Sequence, residues 1–313
     1  MPGRARAARR FLPAALALLA VSVAGCGGDP EEEFLGSFRD DAAALAFVVD
    51  GTVPAGVEEP ETLPSDRPGR IGWILTRPDD GQGISASDLE LGLTQALRDD
   101  PALADDLLDG VSAAEAPLSE SGAERVLVEL TVLAPRVLAA VRSQTPEAAD
   151  LDVEEVLDVL GKAGATTGAD AFGFLQRFDD LVAQGLSSDL RPASDLSASR
   201  WRDAVAAADQ TWIRPAARVR GALVRDLCAG DPDVDTCRAP LDELAEDLDR
   251  QVAQVLYDTS PPALLPALLP APLLADGSRE PLNDLNRDAW RVVVEQAGVD
   301  VPAAVREAAL GQG

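Results

Sequence analysis

Residues 240–258 read PLDELAEDLDRQVAQVLYD, and their apolar side chains recur every three or four positions. The apolar positions in this stretch are Leu241, Leu244, Leu248, Val252 and Val255. This spacing places them on one face of an α-helix, with the acidic residues between them on the opposite face. Pro240 suits the first turn of a helix, because an N–H group there would have no intrahelical partner. The stretch therefore predicts an amphipathic helix that begins at Pro240.

Patterns of the same kind occur along most of the chain, and residues typical of helix starts precede them. Ser, Asp and Asn side chains cap the first free N–H groups of a helix, and proline is tolerated in the first turn. The predicted starts are Ser87, Pro101, Ser119, Asp152, Asp170, Ser199, Asn286 and Pro302. An earlier helix is predicted between Phe34 and Val49. Together these patterns predict a mostly α, irregular multi-helix domain.

Glycines and prolines predict where several of these helices end. Gly110 and Gly185 directly follow apolar patterns, and glycine often ends a helix because it adopts the left-handed conformation without strain. The pattern that begins at Asp152 is likewise expected to end at its glycines. Pro135 and Pro215 lie inside patterns, and each is expected to kink, split or break its helix because proline lacks an N–H group.

Three segments lack a clear helical pattern. Residues 52–70 hold four prolines and predict a Pro-rich loop or extended linker. Residues 71–76, IGWILT, are the best candidate for a strand, although a buried helical turn could have the same composition. Residues 261–274, PPALLPALLPAPLL, cannot form a regular helix, and this Pro/Leu-rich segment either covers the core or forms an exposed docking strip. The predicted organisation is an N-terminal helix and linker at 34–70, followed by an α-helical domain at 71–313.

The first 25 residues have the composition of a signal peptide. The opening ten residues carry four arginines and no acidic residue, and the fifteen residues from Phe11 to Gly25 are almost all apolar. Fifteen residues of helix span about 22 Å, which is short of a hydrocarbon core of roughly 30 Å. A positive segment followed by a short apolar one is typical of export signals rather than of permanent membrane spans.

Residues 23–26, VAGC, indicate which kind of export signal this is. They resemble the lipobox of bacterial lipoproteins, in which small residues precede a cysteine that is lipidated and becomes the new N-terminus. The resemblance implies cleavage before Cys26 and anchoring, through lipid on Cys26, to the extracytoplasmic face of the cell membrane. Residues 26–33 would then form a short tether. The Arg9–Arg10 pair leaves twin-arginine export open as an alternative to the general route.

The chain is strongly acidic. Its formal net charge is −27, and removal of the four N-terminal arginines would bring the charge to −31. Nucleic-acid binding depends on lysines and arginines that neutralise phosphates, so this composition argues against a nucleic-acid partner. Aromatic residues make up only 4% of the chain, and the core is therefore expected to consist of aliphatic and alanine side chains.

Cys228 and Cys237 are the only cysteines besides Cys26. An even pair of cysteines in an exported domain predicts a disulfide, because thiols outside the cytoplasm are readily oxidised. Closing a loop of about ten residues stabilises the folded state by roughly 2–3 kcal/mol on the chain-entropy model. The cysteine content therefore agrees with an extracytoplasmic location.

The sequence contains no histidine. This excludes Ser-His-Asp and Cys-His catalysis, histidine-ligated zinc and an imidazole general base. Lys162 is the only lysine, and its surroundings, GKAGATTG, match neither a Ser-Lys nucleophile motif nor a phosphate-binding loop. We interpret Lys162 as a solvated charge near a helix end, and no catalytic residue is assigned.

Residues 231–242, DPDVDTCRAPLD, are the one segment whose spacing suggests a metal site. Its aspartates occupy positions 1, 3, 5 and 12 of a loop, namely Asp231, Asp233, Asp235 and Asp242. This spacing resembles the calcium loop of EF-hand-like sites, in which carboxylates converge on one cation. Thr236 stands where that loop needs glycine, and Arg238 replaces an apolar residue. The alternative is a disulfide-tied turn between helices, with aspartates that cap and solvate it.

These features favour a membrane-anchored extracytoplasmic lipoprotein that acts as a non-enzymatic binding or scaffolding module, and this location suggests an envelope protein as a partner. The alternative function is a carboxylate-dependent hydrolase of cell-wall glycan, which needs two carboxyl groups at suitable separation. A cleft that gathers two carboxylates and a tryptophan would favour the hydrolase. The candidate tryptophans are Trp73, Trp201, Trp212 and Trp290.

Overall fold

The computed structural model describes most of the chain beyond the N-terminal segment. The described residues are 34, 37–38, 41–77, 96–97, 100, 102–143, 150–168, 171–193, 197–228, 235–264, 282 and 284–311. The predicted signal peptide and tether, the helix start at Ser87 and most of the Pro/Leu-rich segment lie outside them. Within the described residues, no helix has the length and apolar composition needed to cross a membrane.

The described residues fold almost entirely into helices, which confirms the mostly α, multi-helix prediction; no strand occurs among them. The α-helices are α1 Asp41–Asp50, α2 Arg67–Leu75, α3 Ala102–Ala113, α4 Glu120–Arg142, α5 Val153–Thr167, α6 Phe172–Leu190, α7 Ala198–Ala208, α8 Arg214–Cys228, α9 Asp235–Thr259, α10 Asp284–Gln296 and α11 Val301–Ala309. A π-helical turn, Asp209–Ile213, joins α7 to α8, and 3₁₀ turns occupy Arg191–Ala193 and Pro262–Leu264.

The strand candidate at 71–76 is wrong, because most of this segment lies in α2. The helix begins at Arg67, with Pro68 in its first turn, where proline is well tolerated. Every residue from Arg70 to Leu75 is buried. The continuous apolar composition therefore reflects a helix that is covered on several sides. A short apolar run without alternation is also typical of a buried strand, so periodicity does not distinguish the two.

Gly110 does not end α3, which continues to Ala113. A Cβ atom at Gly110 would lie 2.3 Å from the carbonyl oxygen of Pro68, and one at Gly72 would lie 2.2 Å from the carbonyl oxygen of Gly110. These distances leave no space for a side chain. Gly110 is therefore a contact residue that lets the backbones of α2 and α3 approach closely.

The glycines of α5 and α6 are also inside their helices rather than at the predicted ends. A Cβ atom at Gly164 would lie 1.9 Å from the carbonyl oxygen of Leu223, and one at Gly185 would lie 2.0 Å from the Trp212 ring. Helix α5 ends instead at Gly168, whose φ of 67° is the left-handed conformation typical of a C-terminal glycine. Here too the glycines mark close contacts between helices.

Two predictions based on proline are also wrong in their boundaries. Pro135 does not split α4, which runs without interruption from Glu120 to Arg142. Pro240 is the sixth residue of α9, not its first, because the helix begins at Asp235. An interior proline removes only one backbone hydrogen bond, and burial of the apolar faces on either side can offset that loss.

Helix α8 lies at the centre of the molecule and packs against α5, α11 and α9. The Cys228–Cys237 disulfide joins the end of α8 to the first turn of α9, with the two Cα atoms 4.7 Å apart. Aliphatic and alanine side chains form most of the core, with a few fully buried rings such as those of Trp201 and Trp290. The predicted disulfide and core composition are thus present in the structure.

Helices α6, α8 and α9 are also joined by a buried polar group. Arg220 is fully buried, and its Nη2 donates a hydrogen bond to Asp179 Oδ2 at 2.7 Å. Gln251 Nε2 donates to the same oxygen at 2.8 Å. Burial raises the pKa of the Asp179 carboxyl group, although the positive charge of Arg220 opposes this shift. Asp247 Oδ2 also lies 3.7 Å from Arg220 Nη2. Removal of Arg220 would leave Asp179 buried without its cation, so the group has a structural role.

Candidate functional site

A cleft of about 360 Å³ opens where the end of α4, the start of α8 and the helix α11 meet. This volume lies at the lower end of the range typical of small-molecule sites. The lining combines basic and polar side chains with small apolar ones, and comprises Val141, Arg142, Ser143, Gln210, Arg214, Pro215, Arg218, Ala304, Glu307 and Ala308. Three of these residues are arginines, in a chain whose net charge is −27.

The π-helical turn before α8 positions the first of these arginines. Pro215 has no N–H group, so the carbonyl of Thr211, four residues earlier, lacks its usual α-helical donor. Arg142 Nε donates a hydrogen bond to this carbonyl oxygen at 3.0 Å. A side chain from α4 therefore occupies the place of the missing backbone donor. Such π-helical turns are often found at functional sites.

Arg142 is also stacked on an aromatic ring. Its guanidinium carbon lies 3.3 Å from the centre of the Trp212 ring, a geometry in which the cation is attracted to the face of the ring. The six-membered part of the Trp212 ring lies against Gly185, where no side chain would fit. Trp212 Nε1 donates a hydrogen bond to Asp189 Oδ2 at 2.6 Å. The ring is thus fixed at its edge and its face, and it holds the guanidinium in one orientation.

The charge of Arg142 is incompletely neutralised. Among the residues that the structure describes, Arg142 forms no ion pair within 4 Å, and its one hydrogen bond is made through Nε. Partial burial lowers the pKa of its guanidinium, and the more distant negative charge of Asp189 opposes that shift. The Nη1 and Nη2 groups therefore remain available as donors.

Arg214 and Arg218 lie one helical turn apart on the face of α8 that lines the cleft. Arg214 Nε contacts Asp209 Oδ2 at 3.0 Å, and its Nη1 lies 3.8 Å from Glu307 Oε2. Arg218 Nη2 lies 3.4 Å from Glu154 Oε1. Glu307 is the one carboxylate in the lining, so the lining side chains carry three positive charges and one negative charge.

The four tryptophans proposed as stacking residues are all buried, with at most 8% of their surface exposed. Trp212 is the one nearest the cleft, and the guanidinium of Arg142 covers a face of its ring. Trp201 and Trp290 instead pack against each other in the core, 6.1 Å apart between ring centres. None of the four presents an open ring face on which a sugar could stack.

The predicted metal-binding residues are only partly described. Asp231 and Asp233 lie outside the described residues, as does Cys26. Asp235 and Asp242 both lie in α9, seven residues apart, which corresponds to about 10 Å of helix rise. The two described aspartates therefore do not converge as they would in an EF-hand loop. No group of three metal-binding side chains occurs among the described residues, and calcium binding by this segment stays a prediction.

Lys162 is not a simple solvated charge. Its Nζ donates hydrogen bonds to the carbonyl oxygens of Val111 at 3.0 Å and Ser112 at 2.5 Å. These are carbonyls in the last turn of α3, where the helix dipole favours a cation. Lys162 also lies 3.4 Å from Asp158 within α5. It therefore attaches α5 to the end of α3.

Sequence reasoning did not identify the cleft arginines. The usable signal was local: Trp212–Arg218 holds a tryptophan and a proline three residues apart, with arginines at spacing i and i+4. The sequence contains no signal for Arg142, because 26 arginines occur in the chain and its hydrogen-bond partner is 69 residues away.

Comparisons of the chain with protein-family models, curated proteins and solved structures find no match. The chemistry of the cleft and the N-terminal sequence are therefore the features from which a function is inferred. The cleft offers a fixed guanidinium with free donors, two further arginines and an apolar wall, an arrangement suited to binding rather than to proton transfer.

Proposed function

We propose that the chain is a lipid-anchored extracytoplasmic lipoprotein whose helical body acts as a non-enzymatic binding module of the cell envelope. The anchor is supported by the basic segment, the short apolar run and the VAGC residues that end at Cys26. The Cys228–Cys237 disulfide fits an oxidising compartment. Lipid on Cys26 would attach the protein to the membrane, and its ligand or protein partner would come from the surrounding envelope.

The composition of the cleft is the observation that carries the binding function. Its lining holds three arginines and only one carboxylate, Glu307. Glycan hydrolysis generally needs two carboxyl groups, about 5–10 Å apart across the scissile bond. Glu307 also lies 3.8 Å from Arg214, and no second carboxylate belongs to the lining. The cleft therefore supports binding better than hydrolysis.

The tryptophans support the same choice. Sugar rings bind to enzymes by stacking on open aromatic faces, and Trp212 has a face occupied by Arg142. Trp73, Trp201 and Trp290 are buried in the core. The four tryptophans thus offer no aromatic platform to accompany a glycan-cleaving carboxylate pair.

Incubation of the purified full chain with cell-wall glycan tests this choice. We expect no release of soluble sugar, measured as new reducing ends. The diagnostic variant is Glu307→Gln, and Glu295→Gln, at an exposed position of α10, is its matched control. Release of sugar by the wild-type chain would contradict the proposal. If Glu307→Gln alone abolished that release, the cleft would be the active site of a hydrolase.

A further inference from the structure

We infer that the cleft lined by Arg142, Arg214 and Arg218 binds a small oxyanion, a carboxylate or phosphate group carried on a compact apolar body. This inference deepens the proposed binding function and rests on it. Three observations support it: the Nη1 and Nη2 groups of Arg142, which have no partner among the described residues; the small apolar residues in the same lining; and the excess of arginines over carboxylates in that lining.

The free edge of Arg142 supplies the recognition of the anionic group. Its Nε is committed to the carbonyl of Thr211, and its guanidinium is stacked on Trp212. The Nη1 and Nη2 donors lie on the remaining edge of the plane. Two parallel N–H donors match the two oxygens of a carboxylate or phosphate, which gives short, charge-assisted hydrogen bonds. Because stacking and the Nε bond already fix the side chain, binding would cost little side-chain entropy.

The second arginine of the lining is suited to adjust to a ligand. The side chain of Arg214 is 48% exposed, and its contact with Glu307 is a long 3.8 Å. An ion pair between exposed side chains contributes little stability, so exchange of Glu307 for a ligand oxyanion has a small cost. The Nε contact with the nearly buried Asp209 at 3.0 Å would keep Arg214 in position during that exchange.

The wall of the cleft limits the size of the rest of the ligand. Val141, Pro215, Ala304 and Ala308 supply small apolar surfaces. A cleft of about 360 Å³ accommodates a group of small-molecule size. An apolar wall beside a charged edge favours an organic anion over a free inorganic ion, since burial of apolar surface adds to the charge contacts.

The local charge opposes the charge of the whole molecule. The lining carries two more positive than negative charges, while the chain has a net charge of −27. Asp209 and Glu154, outside the lining, offset part of the charge of Arg214 and Arg218. Arg142 has no carboxylate within 4 Å among the described residues, and at physiological salt exposed acidic residues more than about 8 Å away are largely screened. An anion that is repelled by most of the surface would thus still be bound here.

Calorimetric titration of the full chain, purified in detergent, with three probes tests the inference. The probes are inorganic phosphate, N-acetylalanine and its uncharged amide. We expect binding of N-acetylalanine at about millimolar concentration or tighter, and no binding of the amide. Since inorganic phosphate lacks an apolar body, tighter binding of phosphate than of N-acetylalanine would identify the ligand group as a phosphate ester; the reverse order would show that a carboxylate on an apolar body suffices.

The matched variants are Arg142→Gln and Arg214→Gln in the cleft, and Arg250→Gln outside it. Arg250 is about as exposed as Arg214 and pairs with Asp247 at 3.3 Å. Its substitution by glutamine removes the same charge as the cleft substitutions. We expect affinity to fall by about 10- to 100-fold in each cleft variant and to stay unchanged in Arg250→Gln. If Arg142→Gln shows no cooperative thermal unfolding because the Trp212 stack is disrupted, the affinity of Arg214→Gln alone tests the inference.

Three results would overturn the inference: no binding of either oxyanion by the wild-type chain, equal binding of the amide, or wild-type affinity in the folded cleft variants. The failure of the inference can be told apart from that of the proposed function. If the chain binds no oxyanion and releases no sugar from glycan, only the inference is contradicted. If the chain hydrolyses glycan, the proposed function is contradicted.

Discussion

At the scale of single residues, Arg142 is held in the cleft by the absence of one N–H group at Pro215. The carbonyl of Thr211, which can receive no N–H from Pro215, accepts a hydrogen bond from Arg142 Nε, and the guanidinium stacks on the Trp212 ring. The sequence predicts that Pro215 disturbs its helix, and the π-helical turn Asp209–Ile213 is that disturbance. It does not predict which distant donor replaces the missing N–H, because that depends on how α4 packs.

Glu155, in the first turn of α5, has the clearest predicted pH dependence. Partial burial raises the pKa of its carboxyl group to about 7, and a hydrogen bond with Asp109 and the charge of Asp109 add to this shift. In the unfolded chain the pKa returns to 4.5. Between these values the folded state retains a proton that the unfolded state has lost. The stability contributed by this group is therefore complete below pH 4.5 and is lost as the pH rises to about 7.

Glu155→Gln should remove this loss, since glutamine carries no charge to bury. We expect the variant to be more stable than wild type above pH 7 by about 1 kcal/mol, because solvent reaches much of the side chain and weakens the repulsion. Urea denaturation at a series of pH values measures the difference, which should shrink towards pH 4.5. Asp109→Asn should flatten the pH profile in the same way. A constant difference at all pH values would contradict this account.

At the scale of helices, interior glycines decide how closely elements pack. Sequence reasoning placed helix ends at Gly110, Gly185 and the glycines of α5, because glycine is common at such ends. The structure places most of them at crossings, where a Cβ atom would collide with a neighbouring backbone or ring. Apolar spacing within one helix does not say which other helix it meets, so this role could not be predicted from the sequence.

Gly164→Ala tests the crossing of α5 and α8. Alanine favours an isolated helix by up to about 1 kcal/mol over glycine, but here its Cβ atom would lie 1.9 Å from the carbonyl oxygen of Leu223. We expect a net loss of about 1–3 kcal/mol in the free energy of unfolding, measured by urea denaturation. Gly173→Ala, at an exposed position of α6 with no atom within 4 Å, is the control and should be neutral or stabilising. Equal effects of the two substitutions would refute the crossing.

At the scale of the whole molecule, the sequence predicts the helical class and the disulfide but not the arginine-lined cleft. The helical class and the disulfide follow from apolar spacing and from the even pair of cysteines, and both are present. The net charge of −27 describes the average surface. It gives no indication of a cleft in which arginines outnumber carboxylates, because Arg142 comes from a different helix than Arg214 and Arg218. A local excess of one charge arises only when the chain folds.

The whole molecule is proposed to be attached to the outer face of a membrane through Cys26. Two or more acyl chains on one residue suffice for stable attachment. Replacement of Cys26 should therefore affect location without affecting the fold. Replacement of the other two cysteines, Cys228 and Cys237, should do the opposite, since their bond lies between α8 and α9.

Fractionation of bacterial cells that produce the wild-type chain, Cys26→Ala or the double variant Cys228→Ser/Cys237→Ser tests this claim most directly, with mass spectrometry of the N-terminal peptide. We predict that the wild-type and double-variant proteins are in the membrane fraction, with an N-terminal peptide that starts at lipid-modified Cys26. The Cys26→Ala protein should be released or remain uncleaved. A Cys26→Ala protein that matures and stays membrane-bound, or a wild-type protein with an unmodified Cys26, would contradict the account.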